Sequence, residues 1–197
     1  MRYFSSLILI PVIIDADSGW IEGVRVVPSP NHDARPAGCG LDLIVVHGIS
    51  LPPGEFGGGF IDRLFTNVLP AGEHPYFAEI CDLRVSAHAL VARNGALTQY
   101  VSFNERAWHA GDSSHCGRGC CNDYSVGIEL EGTDDMPYEQ AQYRRLSELV
   151  WALRASYASL RDADIVGHCD IAPGRKTDPG ACFDWSELHR LIEASTT

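Results

Sequence analysis

Along YSVGIELEG (124–132), apolar and non-apolar positions alternate. Val126, Ile128 and Leu130 fall on one side, and Gly127, Glu129 and Glu131 on the other. That period of two predicts a strand with one face in a core. Two carboxylates beside a glycine on its other face predict a floor left open for a ligand. The period then changes. EQAQYRRLSELVWALRASYASL (139–160) places apolar residues at 146, 149, 150, 153, 157 and 160, the stripe of a helix that packs on the apolar face of a sheet. A continuous apolar run, Leu43 to Val46, predicts a central strand ending at His47, and DADIVGH (162–168) predicts a shorter one ending at His168.

The remaining elements complete the pattern. RVSAHALVARNGALTQYVSF (84–103) reads as two strands around Asn94-Gly95, a dipeptide favoured in two-residue hairpin turns because both positions tolerate positive φ. FIDRLFTNVL (60–69) predicts a short amphipathic helix, and LPPGEFGGG (51–59) a flexible rim. FDWSELHRLIEA (183–194) predicts a closing helix, with Asp184 and Glu187 in capping-box spacing. VVPSPNHDARPAGCG (26–40) predicts a lead-in over the surface. Interleaved strands and helices with one antiparallel hairpin predict an α/β fold: one domain, a central mixed β-sheet flanked by helices. The domain is expected over 15–197. Residues 1–14 form an N-terminal extension whose apolar run is too short to span a bilayer and is expected to be an extra start or a first strand rather than a signal.

Composition narrows the function. At 197 residues, 45% apolar and 21% charged, the chain can bury a real core. A formal net charge of −11 argues against nucleic acid and against an anionic membrane surface. Seven cysteines cannot all pair within one chain and include no C-x-x-C, so free thiols in a reducing compartment are expected.

The chemistry concentrates in GHCDIAPGRKTDPG (167–180), which proline and glycine mark as a loop. His47 and His168 each end a strand. With one carboxylate they make a three-ligand zinc site with a fourth position for water. Spacing alone leaves Asp170 and Asp178 competing for the carboxylate role. Lys176 stands where a cation could stabilise an oxyanion. Glu129 or Glu131 could serve as general base. His88 and His109 are expected to shape a pocket or orient a neighbour.

Six blocks carry a resemblance: RVVPSPNHDARP, VVHGISLPPGEFGGG, HPYFAEICDLRVSAHALV, RAWHAG, CNDYSVGIELEGTDD and GHCDIAPGRKTDPGACFDW. In this order, from about Asp17 to about Leu191, the chain resembles the AmpD-type N-acetylmuramyl-L-alanine amidases of the amidase/peptidoglycan-recognition-protein family. The resemblance implies zinc on His47, His168 and Asp178, with Glu129 and Lys176 catalytic and Arg84, Trp108 and His109 at the substrate. It implies a cytoplasmic, monomeric enzyme that cleaves the lactyl-L-alanine bond of anhydromuropeptides during peptidoglycan recycling and so bears on β-lactamase induction. The alternative is a non-catalytic muropeptide-binding protein. Two departures are expected to strip polar groups from the substrate rim: Gly48 where the family has asparagine, and Cys120 where it has arginine. Arg118 is the nearest replacement for the latter.

Overall fold

The computed structural model describes residues 11–194, and its sheet is built from six strands. In chain order these are β3 (Arg25–Val26), β5 (Leu43–Ile49), β6 (Ala89–Val91), β7 (Leu97–Gln99), β11 (Ser125–Glu131) and β12 (Asp164–Gly167). Short antiparallel ladders join β1 (Ile14–Asp15) to β2 (Trp20–Ile21), β4 (His32–Ala34) to β8 (Glu105–Ala107), and β9 (Ser114–His115) to β10 (Arg118–Gly119). Across the sheet the order is β12-β5-β11-β6-β7-β3. The first four run parallel, β7 is antiparallel to β6, and β3 is parallel to β7, so the sheet is mixed as expected.

Why β5 reads as an unbroken apolar run is clear from its two faces. Ile44 and Val46 join Val126, Ile128 and Leu130 of β11 in the main core. Leu43 and Val45 point the other way, onto Ala110, Cys121, Tyr124 and Ile171. A parallel strand covered on both faces needs apolar residues at every position. The main core is closed by α3 (Gln140–Ser156) and α5 (Trp185–Ala194). Leu146, Leu149, Val150 and Leu153 of the α3 stripe are fully buried there, each contributing about 1.5–3 kcal/mol. The cap of α3 is specific: Gln142 Oε1 accepts from the Glu139 amide at 3.0 Å, and its Nε2 donates to the Val91 and Glu131 carbonyls. At α5, the Glu187 amide donates to Asp184 Oδ1 at 3.0 Å, but the Glu187 carboxylate pairs with Arg190, leaving half a capping box. The opposite face carries α1 (Phe60–Phe65), α2 (Pro75–Ile80) and α4 (His168–Ile171).

Two expectations change. The hairpin at Asn94-Gly95 closes through a three-residue loop, because Ala92 and Ala96 still pair and only Gly95 has positive φ (81°). The loop after His168 opens with the one-turn helix α4, closed by Asp170 Oδ2 accepting from the Gly167 amide at 2.7 Å. Within the segment 1–14, Ile14 is buried in the main core and Val12 packs against it; its first ten residues lie outside the described residues. All seven cysteines are free thiols. Among the described residues no helix is long and apolar enough to cross a membrane.

Candidate metal centre and active site

Three adjacent parallel strands end side by side on the face away from α3. β11 brings Glu129 into register with His47 of β5, and Gly167 of β12 pairs with Val46, so His168 emerges beside His47. Ligand sites in such sheets lie outside the carboxyl ends of the strands. The chain then turns through α4 and returns Asp178 to the same point, where the Cys169 amide donates to the Asp178 carbonyl at 3.0 Å. His47 and His168 are 1% and 3% exposed, so this is a buried cluster.

The geometry fits a metal. His47 Nδ1 lies 3.0 Å from His168 Nδ1 and 3.3 Å from Asp178 Oδ2, and His168 Nδ1 lies 3.1 Å from the same oxygen. Ligand atoms about 2.0 Å from a tetrahedral ion stand about 3.3 Å apart. The donor chemistry agrees. His168 Nε2 faces the Ala110 carbonyl at 3.2 Å, and a carbonyl can only accept, so the ring proton sits on Nε2 and Nδ1 is a bare lone pair. That lone pair confronts a carboxylate oxygen, an arrangement a cation relieves. Burial raises the Asp178 pKa, but hydrogen bonding and charge from His168 and His47 outweigh it whenever either ring carries a proton toward the carboxylate, so Asp178 lies well below the usual carboxylate range. Burial pushes His47 down to about 4, with Asp178 opposing. A neutral His47 and an ionised Asp178 are the forms in which these groups can ligate a metal.

Asp170 is not part of this group; its carboxylate caps α4. Elsewhere among the described residues, His115, Cys116 and Asp164 also lie close together, but they are on the surface, where the 2.9 Å His115–Asp164 contact draws them in.

Beside the cluster, Glu129 is buried and its Oε2 has no hydrogen-bond partner. Burial raises its pKa well above the usual value, the Asp178 charge adds to that, and Lys176 opposes it. Glu131, two residues on, is engaged structurally: its oxygens accept from the Gly57 and Arg93 amides, which ties down the glycine-rich rim. The expected two-carboxylate floor is thus one free carboxyl and one brace. A cleft of about 690 Å³ opens over the site, lined by His47, Glu129, His168, Lys176 and Asp178 and walled by apolar residues including Leu64, Tyr76, Ile80 and Leu83. That is the size of a small-ligand pocket.

The expected substrate residues fare differently. Arg84 is exposed and its guanidinium donates to the Asp82 and Leu83 carbonyls, at the edge of the cleft wall rather than in its lining. Trp108 Nε1 donates to Asp33 at 3.0 Å and does not line the cleft. His109 does line it, but both ring nitrogens are engaged, by His47 at 2.9 Å and Ser125 at 3.2 Å, so neither is left for a substrate. At Gly48 a side chain would point at the Tyr138 hydroxyl, on the α3 side, so no rim group is lost there. Arg118 is committed to Asp42 at 2.7 Å and stacks 3.6 Å over the Tyr124 ring, so it does not replace a rim arginine. Sequence reasoning missed the part played by Gly127: a Cβ there would collide with the His109 ring. A glycine between two alternating core residues was the available signal.

Comparison with known proteins adds a second line of evidence. A family model described as N-acetylmuramoyl-L-alanine amidase matches residues 39–181. The chain is 54% identical over 180 residues to the 1,6-anhydro-N-acetylmuramyl-L-alanine amidase AmpD of Salmonella typhimurium, covering 91% of this chain and 96% of that one. A crystal structure of a selenomethionine derivative of AmpD superposes with a TM-score of 0.88 at 53% identity, covering 91% and 99% of the two chains. The amidase AmiD of Escherichia coli, solved with the substrate anhydro-N-acetylmuramic acid-L-Ala-D-γ-Glu-L-Lys, is similar with a TM-score of 0.55 at 31% identity, covering 77% and 57%.

Proposed function

The chain belongs to the N-acetylmuramoyl-L-alanine amidase family, and from that premise we propose that it is a zinc-dependent hydrolase of the lactyl-L-alanine amide in 1,6-anhydro-N-acetylmuramyl peptides. The observation that carries this reading is a buried, partnerless carboxyl, Glu129, beside three converging ligand atoms in one cleft. The names of the relatives and the muropeptide bound to AmiD support the choice of substrate.

His47 Nδ1, His168 Nδ1 and Asp178 Oδ2 would hold the zinc. When bound, the ion supplies Lewis acidity, which acidifies water toward neutral pH and polarises a carbonyl. Glu129 takes the proton of the attacking water, which its raised pKa favours, and hands a proton to the leaving alanine amine. Lys176, at the mouth of the cleft, offers positive charge to the oxygen on which negative charge develops. The apolar wall excludes water around the scissile amide. We place the enzyme in the cytoplasm as a monomer, where this cleavage would remove muropeptides that induce β-lactamase. Seven free thiols support a reducing compartment.

The test is incubation of the purified protein with anhydromuropeptides, with and without a chelator, followed by mass spectrometry. Release of anhydro-N-acetylmuramic acid and an intact stem peptide, abolished by chelator and restored by zinc, is expected. Scission within the stem peptide, or chelator-insensitive turnover, would overturn the proposal.

A further inference from the structure

Zinc needs the bare nitrogen of His47 to be Nδ1, the one facing His168 and Asp178. Neutral imidazole carries its single proton on either nitrogen, and the partner of the far nitrogen decides which. Here that partner is another histidine, which could itself donate or accept, so the choice must be made further back.

It is made at a carbonyl. Ser125 Oγ lies 2.6 Å from the Cys121 carbonyl oxygen, which can only accept, so the serine hydroxyl donates there. The lone pairs of Ser125 are then left for His109 Nε2 at 3.2 Å, which must carry the proton. His109 Nδ1 is consequently bare and accepts from His47 Nε2 at 2.9 Å. His47 Nδ1 is therefore bare toward the metal position. All three hydrogen bonds run in one direction, from His47 toward the Cys121 carbonyl. His109 is itself buried, so these two neighbours complete its hydrogen bonds in place of water. Its position is fixed from two sides: the Asn122 side-chain oxygen accepts from the His109 and Ala110 amides at 3.2 and 2.8 Å, and its ring occupies the space that Gly127 leaves open.

Resting on the zinc reading above, we propose that His109 and Ser125 are positioning residues that fix which nitrogen of His47 is bare and so set the affinity of the centre for zinc. Removing the serine hydroxyl leaves His109 Nε2–H buried without an acceptor. Moving that proton to Nδ1 would oblige His47 to accept at Nε2 and to carry its own proton on Nδ1, against the metal. Loss of such an outer partner typically weakens metal binding by about 10–100-fold.

The experiment compares the wild-type protein with Ser125→Ala for zinc affinity, by competition with a chelator, and reads the His109 tautomer in the wild-type protein by long-range 1H–15N NMR. Zinc binding weakened by about 10–100-fold in Ser125→Ala, with the His109 proton on Nε2, is expected. Unchanged affinity in a folded Ser125→Ala protein, or a His109 proton on Nδ1, overturns this inference and leaves the amidase reading intact. Should the alanine variant fail to fold, the wild-type tautomer decides alone. A wild-type protein that takes up no zinc overturns the metal reading itself.

Discussion

Strand β11 has seven buried residues, yet its two faces follow different rules. Toward α3, Val126, Ile128 and Leu130 join leucines and valines in close packing. Toward the cleft, Ser125, Gly127, Glu129 and Glu131 are also buried, but none is there for apolar packing. Ser125 directs a proton, Gly127 makes room for a ring, Glu131 holds two amides, and Glu129 faces the cleft unpaired. Burial alone therefore does not identify a core. The α3 face lowers the free energy of the fold, whereas the cleft face keeps a carboxyl in a place where ionising it is costly.

Substitutions on the two faces should separate activity from stability. The largest effect is expected at the metal position: His168→Ala should abolish both zinc content and hydrolysis, while Lys176→Ala should lower kcat by about two to three decades, or about 3–4 kcal/mol, with zinc retained. Elemental analysis beside steady-state rates measures both, and a fully active Lys176→Ala enzyme would remove that residue from the mechanism. On the α3 face, Leu149→Ala should cost about 2–5 kcal/mol of stability in urea unfolding and leave the kcat of the folded enzyme unchanged. A large loss of kcat there would break the division between faces.

The smallest effect, about 2 kcal/mol between pH 7 and 5, concerns pH. Burial, then the Arg35 charge, pushes His88 from 6.5 down to about 3. The unfolded chain therefore takes up this proton first as pH falls. The stability tied to neutral His88 is complete above about pH 6.5 and declines toward pH 3 by about 1.4 kcal/mol per pH unit. Urea midpoints that do not fall between pH 7 and 5 would contradict this.

Much of this was legible in the chain because period is a local property. The alternation of β11 and the stripe of α3 needed only neighbours in sequence, and His47 and His168 could be placed at strand ends. The carboxylate ligand was not so placed. Asp170 and Asp178 differ in what they meet after the loop folds, one the Gly167 amide and the other two imidazoles, and only the family resemblance pointed to Asp178. Glu129 and Glu131 looked alike for the same reason, since the partners that engage Glu131 alone, Gly57 and Arg93, lie 74 and 38 residues from it. The hairpin was foreseen but not its loop length, because Asn-Gly suits more than one turn.

Tyr138 belongs to the α3 side of the molecule, packed with Phe183, yet its hydroxyl donates to the Pro179 carbonyl at 2.9 Å, one residue past Asp178. The helical layer thus has a tether that passes the end of the sheet and anchors the segment bearing the carboxylate. A disturbance behind the strands, remote from any ligand, has a short mechanical route to the placement of one oxygen atom.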